Sequence, residues 1–156
     1  MLYADPLHLY GFGELLLRLG LAVVVGFLLG LDREMRGVDA GIRTHAMVAL
    51  SSAMIMVSSL MLFDQLRDEG GTPDPLRAVQ GLSQAIGFIA AGMIFVHGNA
   101  VKNMTTAANI WVAAAIGIAC GSGQFSLVLV GSVMAVALLT LLKLFERFLP
   151  VERNDD

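Results

Sequence analysis

The 156 residues carry a formal net charge of -3, with 56% hydrophobic and 15% charged side chains and a mean hydropathy of +0.75. Soluble domains average about 45–50% apolar and 25% charged, so the chain reads as an integral membrane protein, and nothing in its charge points to nucleic acid. One cysteine, Cys120, excludes an internal disulfide and reads as a small packing residue.

Residues 1–13 lack the positive start of a secretory signal, so the first apolar run is expected to stay as a helix. Tyr3, Tyr10 and Phe12 fit an interfacial approach to it. Five segments come near the roughly 20 residues that cross a bilayer: about 14–32, 45–63, 78–97, 105–120 and 125–143. The fold class expected is an all-α membrane protein, a polytopic bundle of five transmembrane helices in one domain over 1–156, with no soluble C-terminal domain. The 17 glycines suit helices packed closely in lipid.

In the first segment Glu14 and Arg18 stand one turn apart and can pair while Arg18 reaches for the interface. Gly26 and Gly30 form a GxxxG pair that would admit another helix or a second subunit. Directly after them the sequence GFLLGLDREMRGVDAGIRTH, residues 26–45, gathers Asp32, Arg33, Glu34, Arg36, Asp39, Arg43 and His45 between two apolar runs. Arginines alone would set topology, and Asp32 can pair with Arg36 one turn on. The added carboxylates could also bind a cation or relay protons, with His45 able to titrate near neutral pH.

Ser51, Ser52, Ser58 and Ser59 follow in the second segment, where serines usually bond a backbone carbonyl. No nucleophile and base spacing accompanies them, so an enzyme is not expected. The next connection, DQLRDEGGTPDPLR, reads as a solvated turn whose Asp64, Asp68, Glu69 and Asp74 could alternatively sense a divalent cation.

Segment three places Gln80, Gln84, Gly87 and Ala91 on one stripe, and segment four places Thr106, Asn109, Ala113 and Gly117 on another. The two stripes are expected to face each other, their amides either gluing the helices or lining a polar cavity beside the Asp32 cluster. Gly98, Asn99 and Asn103 read as a tight turn between these helices, Thr105 or Thr106 as a cap, and Trp111 as a packing or interfacial residue. The fifth segment is a charge-free scaffold ending in an amphipathic tail. Arg33, Arg36, Arg43, Lys102, Lys143, Arg147 and Arg153 fall on one side and Arg67 and Arg77 on the other, which puts the N-terminus outside and the C-terminus in the cytoplasm.

The 26–45 sequence closely resembles the signature of the MgtC/SapB family of bacterial inner-membrane proteins. DPLRAVQGLSQAIGFIAAGMIF and TTAANIWVAAAIGIACGSG are similar to two further family stretches, in the family's order. The usual Glu-Arg-Glu stands here as Asp32-Arg33-Glu34. The resemblance implies a five-helix transmembrane domain with the family signature falling on Asp32, Arg33, Glu34, Gly41, Arg43, Thr44 and His45 and continuing on Arg77, Gly87, Gly92, Thr105, Thr106 and Trp111. It further implies growth at low magnesium, survival of some pathogens inside macrophages, and regulation of other membrane proteins such as ATP synthase. Two functions are therefore expected to compete. One is a non-enzymatic, homo-oligomeric membrane regulator without a cofactor. The other is a magnesium or proton transporter using Asp32, Glu34, Gln84 and Asn109, whose metal ligands the sequence leaves unknown.

Overall fold

A computed structural model describes residues 10–35, 37–97 and 100–146. Arg36, Gly98, Asn99, Arg147 and Arg153, together with the expected Asp32–Arg36 pair and most of the amphipathic tail, lie outside the described residues. The described residues form five helices: α1 (Phe12–Met35), α2 (Ile42–Asp68), α3 (Leu76–Met93), α4 (Met104–Gly121) and α5 (Phe125–Glu146). Among the described residues α1, α2 and α4 are long and apolar enough to cross a membrane, and α5 has a shorter apolar stretch at Phe125–Leu141. Helix α3 is interrupted by Arg77, Gln80 and Gln84, which dilute its hydropathy.

The core is an α1–α2–α4 layer. Its logic is visible in α1, where Arg18, Ala22, Val25, Gly26, Leu29, Gly30 and Arg33 are the buried residues, spaced by three and four on a single face. The glycines on that face are the points of closest approach. A Cβ on Gly26 would stand 2.7 Å from the His45 carbonyl oxygen, and one on Gly30 would stand 2.6 Å from the Ile42 Cα. The GxxxG pair is therefore spent inside the chain, on α2. Gly117 and Gly121 repeat the device from the other side, against the Ala49 and Ala53 carbonyls of α2. Helix α2 is thus held between two glycine seams, a packing that dispersion favours where lipid supplies no hydrophobic drive.

Three expectations are corrected. Helix α2 continues to Asp68, so Asp64 and Arg67 are helical and face each other at 3.6 Å instead of belonging to a loop. Helix α3 stops at Met93, and residues 95–97 and 100–102 pair as two antiparallel strands, β1 (Phe95–His97) and β2 (Ala100–Lys102), with Phe95 opposite Lys102. The Phe-Val run read as helix is β-prone, and Ile94 already adopts extended backbone. Last, the face that α3 turns to the protein is Leu82, Ile86 and Ala90, not the Gln80–Gln84–Ala91 stripe. Ile86 packs with Ile110 and Ala114 of α4, and the two amide stripes do not meet.

Candidate functional site: a buried polar cluster

The end of α1, the start of α2 and the start of α4 converge on polar side chains that the bundle has sealed. Arg33 is 6% exposed, His45 0% and Thr106 2%. Burying charge at this depth is expensive unless it is paired and hydrogen-bonded, and the geometry supplies partners. The Arg33 guanidinium donates from Nη2 to the Thr106 hydroxyl, tying α1 to α4. His45 sits one turn into α2, and its Nδ1 lies 2.9 Å from the Gly41 carbonyl. Donation to that carbonyl fixes the tautomer and leaves Nε2 as an acceptor. Among the described residues His45 Nε2, Ser52 Oγ and Asn109 Nδ2 are buried without a hydrogen-bond partner.

Glu34 has a different task. Its Oε2 accepts the Ile42 N–H at 3.1 Å, a cap for α2 supplied from α1, because Gly41 has no side chain with which to do so. A Cβ on Gly41 would lie 1.8 Å from that same oxygen, so the glycine makes room for the carboxylate. The negative charge also faces the positive end of the α2 dipole. Asp39 is held by the Asn103 amide at 3.4 Å, across to the start of α4, where Asn103 takes left-handed backbone (φ 65°).

Of the residues singled out from sequence, Arg33 and Thr106 are joined by a hydrogen bond, while Glu34 and His45 meet the start of α2 at Ile42 and Gly41; Asp32 precedes Arg33 on α1 and Asn109 follows Thr106 on α4. Arg43 and Thr105 point outward, Thr44 is half-buried, and Gly87 lies 3.9 Å from the Trp111 ring. Gln84 and Gly92 do not join: both are on the outer face of α3, and nothing lies within 4 Å of the Gly92 Cβ position. Among the described residues no three His, Cys, Asp or Glu side chains come together as a metal site.

Sequence reading missed the full role of Arg18. It does pair with Glu14, Nε to Oε1 at 3.1 Å, but at 8% exposure it is also covered by the protein. Its Nη1 donates to the Gly121 carbonyl at 2.7 Å, at the far end of α4, and its guanidinium stacks 4.4 Å over the Tyr10 ring. The available signal was Gly121-Ser122-Gly123, a helix end closed by a left-handed glycine (φ 72°). Such ends leave carbonyls that attract a cation.

A polytopic helix bundle with an arginine-centred polar junction sealed between glycine seams defines a class of membrane protein. The MgtC family profile matches residues 19–148, and the chain belongs to that family. It is 41% identical over 127 residues to YhiD of Escherichia coli K12, whose name describes a candidate magnesium transporter, covering 81% of this chain and 59% of that one. A Synechocystis protein, slr0014, is 40% identical over 79% of this chain and 50% of its own length. Protein MgtC of Brucella abortus strain 2308 is 35% identical over 78% and 48%. The chain thus spans about half to three-fifths of the length of these relatives. No solved structure matches it.

Proposed function

We propose that the chain is a non-enzymatic regulator in the bacterial inner membrane, serving adaptation to low magnesium by acting on other membrane proteins. The N-terminus lies outside and the C-terminus in the cytoplasm. The observation that carries this reading is the engagement of the signature residues in holding helices together: Glu34 caps α2 and Arg33 bridges α1 to α4. Gln84, needed for the alternative path, is on the opposite side of α3.

The test is magnesium and proton flux in liposomes holding the purified full chain. Flux no greater than that of protein-free liposomes is expected. Flux that disappears on Asp32→Asn would replace the regulator with the transporter. In cells, Asp32→Asn or Arg43→Ala is expected to abolish growth at low magnesium while the protein stays in the membrane. Normal growth with either variant would sink the assignment of this charged segment to the function.

A further inference from the structure

The outer surfaces of α3 and α5 differ in kind. The outward side of α5 is Leu129, Val130, Val133, Met134, Leu138 and Leu141, each more than half exposed, which is what acyl chains accept. Helix α3 is mixed on its outside: Leu82, Ile86 and Ala90 are buried, while Gln80 and Gln84 face outward among the exposed Phe88 and Ile89 and have no side-chain hydrogen bond among the described residues. Helix α3 lies along the membrane-length α4 through Ile86 and Ile110, so with α4 across a bilayer Gln84 falls at the depth of the hydrocarbon. A primary amide left there without partners forfeits hydrogen bonds that an alkane-like medium cannot replace.

We propose that this face of α3 is a homodimer interface, in which Gln84 pairs with Gln84 of a second copy. An amide carries donors and an acceptor on the same group, so one side chain satisfies its own symmetry mate across a two-fold axis along the membrane normal. Backbone approach is open: Gly81, one turn before Gln84, has nothing within 4 Å of its Cβ position. One turn beyond, Phe88 is 83% exposed, the most exposed large apolar side chain among the described residues. It would flank the amide pair and exclude lipid from it. This rests on the reading of the chain as a protein that works through contacts within the membrane, and it names the first of those contacts.

The test uses the full chain in bilayers at low protein density. Oxidation of Gly81→Cys or Gln84→Cys is expected to give a covalent dimer, with the buried Cys120 silent, whereas Val133→Cys on α5 stays monomeric. Gln84→Leu is expected to weaken dimerisation, measured by energy transfer, by about three- to eightfold, the equivalent of one or two intramembrane hydrogen bonds. A monomer at every density, or cross-linking no stronger on α3 than on α5, would overturn the proposal. So would a Gln84→Cys product only with a protein of different mass, which would make the face a heterologous one. Failure of the growth test with the cross-link intact would strike the proposed function and leave this interface standing.

Discussion

At the scale of single residues, Glu34 separates charge from hydrogen bonding. Glu34→Gln retains an oxygen that can accept the Ile42 N–H, whereas Glu34→Ala removes it and is expected to cost about 1 kcal/mol, the usual worth of a helix cap. Mixed-micelle denaturation should rank them wild type, Gln, Ala. If Glu34→Gln is stable yet fails to support growth at low magnesium, the carboxylate charge has a role beyond capping. Thr106→Val deprives the buried Arg33 guanidinium of its hydroxyl acceptor and is expected to cost about 1.5–3 kcal/mol, as for hydrogen bonds to charged groups. Thr106→Ser should restore it; a neutral Thr106→Val would mean that the bond contributes little.

At the scale of elements, the seams make a contrast within one helix. Gly26→Ala drives a Cβ into the backbone of His45 and Ala46 and is expected to cost about 1–3 kcal/mol by overpacking. Gly20→Ala, where nothing lies within 4 Å, should be neutral or gain up to about 1 kcal/mol in helix propensity. Equal effects in thermal unfolding would refute the seam. These seams were legible beforehand, because small residues four apart in an apolar helix have few other uses. The inward face of α3 was not: a polar stripe in a membrane helix normally faces protein, and here it faces away from its own chain. Nor was the end of α3, since Ile94, Phe95 and Val96 are as apolar as the helix they follow. In the candidate site, the crowding of charges marked the junction, but which acid caps and which arginine crosses depends on how α4 returns to α1, and that register is absent from any local pattern.

At the scale of the whole molecule, α1 holds α4 at both ends. Arg18 and Arg33 are fifteen residues apart on α1, and Gly121 and Thr106 are fifteen apart on α4. Each interval is about 22 Å of helix. Sites so far apart without shared partners are expected to act independently, so Arg18→Met with Thr106→Val should destabilise by the sum of the single effects within about 0.5 kcal/mol. A markedly larger loss in mixed-micelle denaturation would mean that α4 slips once both ends are released.

That matched spacing restricts how α4 can move against α1. Moving α4 along α1 by one turn, about 5.4 Å, would break both arginine contacts at once and drag the Gly117 seam across the α2 backbone. The α1–α2–α4 unit therefore behaves as a single strut. Motion that keeps both arginine contacts is motion of the strut as a whole.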